Sequence, residues 1–379
     1  MELIDTNIKY KSSQEHTNFL NGSLIDSSLN KNGLRVIESV HLNQSKVSMT
    51  NDIFDLKCVD AEGIKQHVIL KCSSTKTEPR EIHIDDSKLK IGGWLSNRLN
   101  NEYVLLQKIQ ALGVSAPKPL FFIEEGTNSF LAISYNKGVV GSELRYPKVS
   151  EDKFRKLEYQ RGYLLGKINS IDCANDRYGP VDPNSTSFST WTEYFNTKVS
   201  TTLSLLYGMY PVLNNLRRFS EFIKSETIWQ KMCVDLSVLY GNSTVQKMIK
   251  NDSIPTLSHG DYWDGNTLVD LENKSGQEVS VIDFDRGGIE GQSFDLALWL
   301  SSKTEGKKDV NPVFGIPDFL RGYEDSGKNI SSDIKNYVTL YGLWQYLDFL
   351  VIDCIHQVDR SNKSMPEVDR LFRELQKIV

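Results

Sequence analysis

One stretch, residues 258–285, constrains the fold and the chemistry of this chain more than any other. It reads HGD at residues 259–261 and carries Asn266 five residues after that Asp. A second acidic group, DFD at residues 283–285, follows at the end of an apolar run. An Asp and an Asn on one loop, joined by an Asp from a neighbouring strand, supply the base and the oxygen ligands that magnesium-dependent phosphoryl transfer needs.

The first half of this stretch, with Asp261 and Asn266, also has a simpler interpretation when it is taken alone. H-G-D and D-G-N are turn-forming sequences in any protein. The interpretation as a phosphoryl-transfer site therefore depends on whether the rest of the chain supplies complementary groups.

The composition is that of an ordinary globular protein. The chain has 379 residues, of which 39% are hydrophobic and 25% are charged, so we expect two or three folded units with a sizeable core. The net charge of -5 argues against nucleic acid or an anionic membrane as the main partner. A mildly acidic surface is instead compatible with a cationic substrate.

The sequence shows neither a targeting segment nor a membrane span. Its start contains no apolar segment behind basic residues, and no window of about 18 apolar residues occurs anywhere. The five cysteines are widely spaced and lack a CxxC motif, which favours neither a disulfide framework nor a zinc site. We therefore expect a soluble, cytoplasmic protein with reduced thiols and no membrane partner.

The first third of the chain is predicted to be rich in β-strands. Residues 1–33 are polar and are expected to form an arm or a first helix. From residue 34, three apolar runs separated by turn formers predict three antiparallel strands. The third run, VILKC, places Lys71 among apolar neighbours, where its charge needs either a partner or an exit to water. Residues 73–97 are predicted to be an irregular connection.

A helix and two further strands complete this unit. Residues 98–112 have apolar side chains at helical spacing. Glu102 lies near the start of this helix, where it is either an ordinary helix-start acid or the ion-pair partner of Lys71. Strands are predicted at 120–125 and 130–135, so the unit contains a five-stranded antiparallel sheet and one helix.

The rest of the chain is predicted to be mainly helical. Helical spacing of apolar residues occurs at about 152–170, 191–206, 212–224, 227–240, 293–300, 317–325, 332–356 and 365–378. The sequence thus predicts an α+β fold of two lobes, with a small nucleotide-binding lobe at 34–136 and a large helical lobe at 137–379 that carries the catalytic loop and the acceptor site. A small-molecule site is expected in the cleft between them.

This arrangement resembles the aminoglycoside phosphotransferase and choline kinase superfamily, which are small-molecule kinases with a protein-kinase-like fold. The matching segments fall in family order and are VILK with Lys71, NEYVLL with Glu102, APKP with Pro117, HGDYWDGN at 259–266, IDFD at 282–285 and DLA at 295–297. Protein kinases have H-R-D and D-F-G at the corresponding places, followed by an A-P-E segment. Because this sequence departs from that pattern, a protein substrate is disfavoured.

The resemblance implies a role for each charged residue of the site. Asp261 would accept a hydrogen bond from the substrate hydroxyl and take its proton, acting as the catalytic base. Asn266 and Asp283 would hold Mg²⁺. Lys71, held by an ion pair to Glu102, would bind the α- and β-phosphates of ATP or GTP.

Further nucleotide contacts are implied by the same resemblance. The backbone of Ser134, Tyr135 and Asn136 would hydrogen-bond the base. Residues 42–49 contain no glycine, although protein kinases cover the phosphates with a Gly-rich loop. We therefore expect Ser45 or neighbouring amides to cap the phosphates, and the choice between ATP and GTP stays open.

Acidic and aromatic residues cluster where the acceptor is expected. Carboxylates and aromatic faces both attract ammonium groups, which favours a small, amine-bearing hydroxyl acceptor. The candidate acceptor contacts are Trp263, Asp264, Asp285, Glu290, Trp344 and Asp348. The leading hypothesis is an antibiotic phosphotransferase; the alternatives are a metabolic or biosynthetic kinase for choline, a sugar derivative or homoserine, and a nucleotide-binding pseudokinase.

Overall fold

The structure is a computed structural model of the chain. It describes residues 27, 29–42, 52–74, 82–84, 87–89, 98–125, 128–144, 148–174, 176–210, 213, 219–273, 276–304, 315–356 and 361–379. Ser45 lies outside the described residues, as do residues 1–26 of the predicted arm and most of the predicted connection at 73–97.

The β-structure consists of one large sheet and several short ones. The strands are β1 (Arg35–Leu42), β2 (Asp52–Val59), β3 (Lys65–Ser74), β4 (Ile82–Ile84), β5 (Ser87–Leu89), β6 (Pro119–Glu125), β7 (Asn128–Ser134), β8 (Val139–Val140), β9 (Pro255–Ser258), β10 (Thr267–Val269), β11 (Val279–Val281) and β12 (Gly288–Gly291). Strands β1, β2, β3, β7 and β6 form, in this order, a five-stranded antiparallel sheet. The predicted sheet is confirmed.

The helices belong almost entirely to the second part of the chain. They are α1 (Arg98–Gln110), α2 (Glu151–Asn169), α3 (Trp191–Gly208), α4 (Phe219–Phe222), α5 (Glu226–Tyr240), α6 (Ser243–Asn251), α7 (Phe294–Thr304), α8 (Ile316–Asp325), α9 (Ile334–His356) and α10 (Ser361–Ile378). The predicted α+β class, with a small sheet-bearing lobe and a large helical lobe, is confirmed. None of the helices in the described ranges is long and apolar enough to cross a membrane.

The two faces of the sheet have different neighbours, and this difference positions the lysine of β3. Successive side chains of a strand point to opposite faces. Leu70 and Cys72 therefore face one way, into an apolar cluster with Phe130. Lys71 faces the other way, beside its β7 partner Leu131, which belongs to the core that also contains residues of α1. A charged side chain is thus directed toward α1 and the helical lobe.

Several short elements of the fold were not predicted from the sequence, among them strands β8, β9, β10 and β12 and the two elements described next. The first is the β4–β5 hairpin, which lies in the segment predicted to be irregular. The second is α6, a nine-residue helix that begins after Asn242, whose side chain accepts a hydrogen bond from the Thr244 amide at 2.7 Å. Both elements are short, so their apolar patterns span too few residues to be recognised. The helix predicted at 212–224 lies partly outside the described residues. Within the described part, α4 covers residues 219–222.

Short antiparallel pairs hold the loops of the opening stretch together. Strand β9 pairs with β12, and β10 pairs with both β11 and β8. As a result, the loop at 259–266, which leaves β9, lies beside the loop at 282–287, which leaves β11. The two halves of the sequence motif are neighbours in space.

Candidate active site

Two loops form the floor of the candidate active site. Residues 259–266 connect β9 to β10, and residues 282–287 connect β11 to β12. The amide of Ile282 donates a hydrogen bond to the carbonyl oxygen of Asn266 at 3.0 Å, and His259 Nε2 lies 3.0 Å from the carbonyl oxygen of Ile282. These bonds fix the loop of the predicted base against the segment that carries the predicted metal ligand.

His259 is a buried brace between the two loops. A carbonyl oxygen only accepts hydrogen bonds, so the contact with Ile282 places the ring proton on Nε2. The other ring nitrogen, Nδ1, then accepts the amide of Asp261 at 3.3 Å. Both ring nitrogens are used structurally, and the imidazole has no accessible surface. His259 is therefore not available for proton transfer.

Asp295, at the start of α7, anchors the loop from below. Its carboxylate is 2% exposed and accepts hydrogen bonds from the Ser258 hydroxyl at 2.7 Å, the His259 amide at 2.7 Å and the Gly260 amide at 2.9 Å. Asn169 donates to the same carboxylate at 3.1 Å. Several charge-assisted bonds to one carboxylate hold the loop in a single conformation.

The backbone at Gly260 requires glycine. Its φ of +75° lies in the left-handed region, and a Cβ built there would lie 2.1 Å from the carbonyl oxygen of Arg286. The close approach of these two backbones is what brings Asp261 next to the segment after β11. Any side chain at residue 260 would push the loops apart.

Asp261 and Asn266 form a pair on the same loop. The Nδ2 group of Asn266 donates to the Asp261 backbone carbonyl at 2.8 Å and to its Oδ2 at 3.1 Å. Burial raises the pKa of Asp261, while the positive charge of Arg286 opposes that rise. A carboxylate of raised pKa that is held by an amide is suited to accept a proton from a hydroxyl.

The predicted ion pair between Lys71 and Glu102 is present in the structure. Lys71 Nζ donates to Glu102 Oε1 at 2.8 Å and Oε2 at 2.9 Å, and it also donates to Asp283 Oδ1 at 2.5 Å. Burial lowers the pKa of Lys71, but the carboxylates of Asp283 and Glu102 outweigh this effect and raise it above the ordinary value. Lys71 is therefore a fixed positive charge between two acids.

Asp283 differs from Glu102 in its access to solvent. The Asp283 side chain is 37% exposed, whereas that of Glu102 is 1% exposed. Burial raises the pKa of Asp283, but the Lys71 ammonium outweighs that effect and lowers it, so the carboxylate is ionised. Asp283 also has a φ of +67° and is the one non-glycine residue in the described ranges with positive φ. Its strained backbone presents the carboxylate to the cleft.

The donor set at Asn266 and Asp283 fits a magnesium ion bound together with phosphates. Because Asn266 Nδ2 donates to Asp261, its Oδ1 is the atom that remains for a metal. An amide oxygen and an ionised carboxylate are ligands that Mg²⁺ accepts, and this ion usually takes its other ligands from water and phosphate. Within the described residues, no group of three or more His, Cys, Asp or Glu side chains forms a complete protein cage for a metal.

The segment predicted to contact the nucleotide base begins at Ser134, the last residue of β7. The amides of Ser134 and Tyr135 already donate to the carbonyl oxygens of Lys118 at 2.8 Å and His67 at 3.0 Å. Within the part of the chain that the structure describes, the amide of Asn136 is the donor of this segment that remains for a nucleotide base.

Three of the predicted acceptor contacts are carboxylates that pair with the protein's own cations. Asp264 accepts from Lys303 at 2.7 and 2.8 Å. Glu290 pairs with Lys198, and Asp348 pairs with Arg286. The three carboxylates are between 0% and 4% exposed. The structure therefore places them in ion pairs within the protein and away from the surface of the cleft.

The other predicted acceptor contacts lie nearer to open space. A cavity of about 400 Å³ is lined by fifteen residues that include Arg98, Lys198, Asp285, Arg286 and Trp344. Asp285 lies 3.5 Å from a guanidinium nitrogen of Arg98. Trp263 is 41% exposed and belongs to the catalytic loop. The cavity touches the catalytic loop through Arg286, whose carbonyl oxygen packs against Gly260.

Four residues of this region were not given a role from the sequence. Asp295 had a detectable signal, because an acid within the apolar segment SFDLALWL needs buried donors. Arg98, Lys198 and Arg286 had none, since a basic residue on a helix or in a turn is ordinarily a solvated side chain. Their importance arises from the cavity that they share.

Comparisons by sequence found no match to this chain. No family model matches the sequence, and no curated protein matches it.

Comparisons by structure identified proteins of the same fold. A protein assigned as an aminoglycoside phosphotransferase from Ralstonia eutropha JMP134 is 12% identical and has a TM-score of 0.57, with 94% of this chain and 96% of that chain covered. The GDP complex of wild-type aminoglycoside 2'-phosphotransferase-IIIa is 12% identical and has a TM-score of 0.53, with 94% and 97% covered. Ethanolamine kinase from Plasmodium vivax is 14% identical and has a TM-score of 0.52, with 95% and 87% covered.

These structural neighbours confirm the predicted fold. This chain has the protein-kinase-like fold of small-molecule kinases and phosphotransferases over nearly its whole length. At 12–14% identity, the likeness concerns the fold, and the chemistry of this chain has to be argued from its own residues.

Proposed function

We propose that this protein is a small-molecule kinase that transfers the γ-phosphoryl group of ATP or GTP to a hydroxyl group, with magnesium as the metal. The observation that carries the proposal is the proximity of two charged groups. One is the ion pairs of Lys71 with Glu102 and Asp283, and the other is the Asp261–Asn266 pair, whose carboxylate is close enough for the charge of Asp283 to act on it. Their connection through Ile282 fixes the spacing between them.

Each group has one electrostatic task in this reaction. Asp261 would orient the acceptor hydroxyl and take its proton as the new P–O bond forms. Lys71 would neutralise the phosphates, with Glu102 keeping its ammonium group in place. Asn266 and Asp283 would hold the magnesium ion, which supplies positive charge to the phosphates when it is bound. Asn136 would donate its amide to the nucleotide base.

The lobes would divide this work as the sequence predicted. We propose that residues 34–136 form the nucleotide-binding lobe and that residues 137–379 carry the catalytic loop and the acceptor site. A cytoplasmic location is part of the proposal and agrees with four described cysteines that are buried and reduced: Cys58, Cys72, Cys173 and Cys233.

The sequence favoured an amine-bearing antibiotic as the acceptor, and this remains one candidate. A second candidate, a metabolic or biosynthetic kinase, is favoured by a specific observation. Asp264, Glu290 and Asp348 are paired with Lys303, Lys198 and Arg286, so these carboxylates are not available to a cationic antibiotic. A polycationic acceptor would have to displace buried ion pairs, which is energetically costly.

The experiment that tests the proposal is a screen of hydroxyl acceptors for ADP or GDP release, with the mass of the product measured. The set should include aminoglycosides, macrolides, amino alcohols, sugar derivatives and hydroxy acids. The proposal predicts at least one acceptor that gains the mass of one phosphoryl group in a magnesium-dependent reaction. Magnesium-dependent nucleotide binding without turnover on any member would instead favour the pseudokinase alternative.

A further inference from the structure

We propose that the cavity beside the catalytic loop binds an anionic group of the acceptor, most simply a carboxylate. This inference rests on the proposed function and names the acceptor class as a hydroxyl compound that carries a negative charge. It replaces the cation-binding role that the acidic and aromatic composition of this region suggested. The juxtaposition of Arg98, Lys198 and Arg286 around one cavity is the basis of the proposal.

The charges that line the cavity are mostly positive. Among its lining residues in the described chain, Arg98, Lys198 and Arg286 are basic and Asp285 is acidic. The side chains of the three basic residues are between 15% and 16% exposed, so their charged ends have limited contact with water. Charges in a partly buried cavity interact more strongly with a ligand than surface charges do.

The carboxylates that balance two of these cations do not line the cavity. The side chains of Glu290 and Asp348 are each 1% exposed, and neither residue borders the cavity. A ligand in the cavity therefore approaches the ammonium of Lys198 and the guanidinium of Arg286 more closely than it approaches their acidic partners. Because Coulomb energy falls with distance, the nearer positive charges dominate the interaction.

The aromatic residues of this region already hold a cation. Lys198 Nζ lies 4.9 Å from the ring centroid of Tyr194, 4.8 Å from that of Phe294 and 4.9 Å from that of Trp344. Such a group of ring faces is suited to bind an ammonium ion. Since the protein's own lysine occupies it, an incoming ammonium group would meet like charge, whereas an incoming anion would meet a fixed and oriented positive charge.

The position of the cavity relates this anion site to the reaction. Arg286 and Gly287 line the cavity, and Gly260 of the catalytic loop packs against the backbone of both. The positive charge of Arg286 also acts on Asp261. An acceptor held by its anionic group in the cavity would lie beside the loop that carries the base. The three cations would also offset the repulsion between this acceptor and the nucleotide phosphates.

Calorimetric titration with three small probes tests the charge preference of the cavity directly. The probes are glycerate, glycerol and ethanolamine, added to the protein in the presence of Mg-ADP. We expect glycerate to bind and to bind at least about tenfold more tightly than either other probe, as charge-assisted hydrogen bonds allow. Tighter binding of ethanolamine, or no binding of glycerate at any concentration that leaves the protein folded, overturns the inference.

A charge-neutral double substitution locates the binding. Lys198→Met combined with Glu290→Gln removes the cation and its buried partner together, so that no unpaired charge is left. We expect glycerate affinity to fall by about tenfold or more. The matched control is Lys108→Met with Asp176→Asn, which removes an ion pair whose residues do not line the cavity and should leave glycerate affinity unchanged. Equal glycerate affinity in the two double variants also overturns the inference.

The same titrations separate this inference from the proposed function. Binding of Mg-ADP, recorded before each probe is added, reports on the nucleotide site alone. A protein that binds Mg-ADP and prefers ethanolamine contradicts the anion site and leaves phosphoryl transfer standing. A protein that does not bind Mg-ADP contradicts the proposed function, whatever its preference among the probes.

Discussion

Two lysines of this protein, one buried and one partly buried, lie in opposite settings. Lys71 lies between Glu102, which is 1% exposed, and Asp283, which is 37% exposed. Lys198 pairs with Glu290, which is 1% exposed, and its own side chain is 15% exposed toward a cavity. At the first lysine a carboxylate reaches the cleft, and at the second the ammonium group does. The member of an ion pair that faces open space determines which ligand charge the site accepts.

Both settings carry an energetic cost that suggests a role beyond stability. Removing two charges from water is expensive, and their attraction in the protein interior often does no more than offset this cost. An apolar pair of similar size would pack at least as well as Lys71 and Glu102 or Lys198 and Glu290. We therefore attribute both ion pairs to ligand binding, with Mg-nucleotide at the first and an anionic acceptor at the second.

The largest expected effect is on catalysis at Asp261. We expect Asp261→Ala to lower the transfer rate by roughly 10²- to 10⁴-fold, because a positioned acid–base group contributes about this much. Nucleotide affinity should remain close to that of the wild type, since the assigned nucleotide contacts are untouched. The check is the initial rate of ADP release with the acceptor found by screening. Asp270→Ala, in the next loop, is the control, and more than about a tenth of wild-type activity in Asp261→Ala would rule out the assigned role.

Substitution of either lysine should lower the free energy of unfolding by a similar amount, but the two substitutions should have different effects on ligand binding. Lys71→Met and Lys198→Met should each destabilise the fold by roughly 3–5 kcal/mol, because each leaves a buried glutamate without its cation. Adding Glu102→Gln or Glu290→Gln, respectively, should restore much of that loss.

Urea unfolding of the single and double variants measures these changes in free energy. We expect only the Lys71 variants to lose nucleotide binding, which a parallel titration with Mg-ATP would show. Loss of nucleotide binding in the Lys198 double variant would mean that the two sites are not separate.

Asp252 is a buried acid whose carboxyl group is held by hydrogen bonds, with no ion pair among the residues that the structure describes. Tyr341 donates to it at 2.8 Å and the Ser293 amide at 3.1 Å. Burial raises the pKa of Asp252 to about 7 from its ordinary value of 3.8, although these hydrogen bonds oppose the rise. Because the folded-state pKa is raised, this group's stabilisation is fully present below pH 3.8 and is lost as the pH rises through about 7.

The free energy of unfolding should fall by up to about 4 kcal/mol as Asp252 ionises, since each unit of pKa difference between the folded and unfolded protein corresponds to about 1.36 kcal/mol. Urea unfolding at a series of pH values should show this decrease in the wild type and a flatter profile in Asp252→Asn. Parallel pH profiles for the two proteins would show that Asp252 does not titrate in this range.

The smallest expected effect is at Asp264, which the sequence suggested as an acceptor contact. Its carboxylate is 4% exposed and binds Lys303, and its neighbourhood includes Arg161. We expect Asp264→Asn to change the KM for the acceptor by less than about twofold, because its buried carboxylate makes no contact with the acceptor that the substitution could remove. Steady-state kinetics would measure this, and a tenfold rise in KM with unchanged stability would return Asp264 to the acceptor site.

The sequence predicted the ion pair between Lys71 and Glu102 and little of the contacts on the acceptor side. Lys71 was singled out because a lysine in an apolar strand needs a partner or an exit to water, and the motif further along the chain favoured a partner; Asp261, Asn266 and Asp283 were singled out by the spacing of that motif and its family resemblance. These signals are local in the chain. The strands of the main sheet and the long helices were likewise predicted from local periodicity.

The acceptor side depends on contacts between distant segments. The pairing of Glu290 with Lys198 joins β12 to α3, and that of Asp348 with Arg286 joins α9 to the loop after β11. The sequence showed that acidic and aromatic residues cluster in this part of the chain. It did not show that the chain's own lysine and arginine already neutralise two of these acids, because the orientation of a helix decides which side chain faces the cavity.

The most direct test of the difference between the two lysine sites is the magnesium dependence of nucleotide binding at Asp283. Asn tolerates the left-handed backbone found there, so Asp283→Asn removes the charge with little strain. Calorimetry with ATP, with and without Mg²⁺, should show that the metal tightens binding to the wild-type protein and has no effect on the variant. If Mg²⁺ tightens ATP binding equally in both proteins, Asp283 is not the metal ligand, and the assignment of the Lys71 side to Mg-nucleotide is wrong.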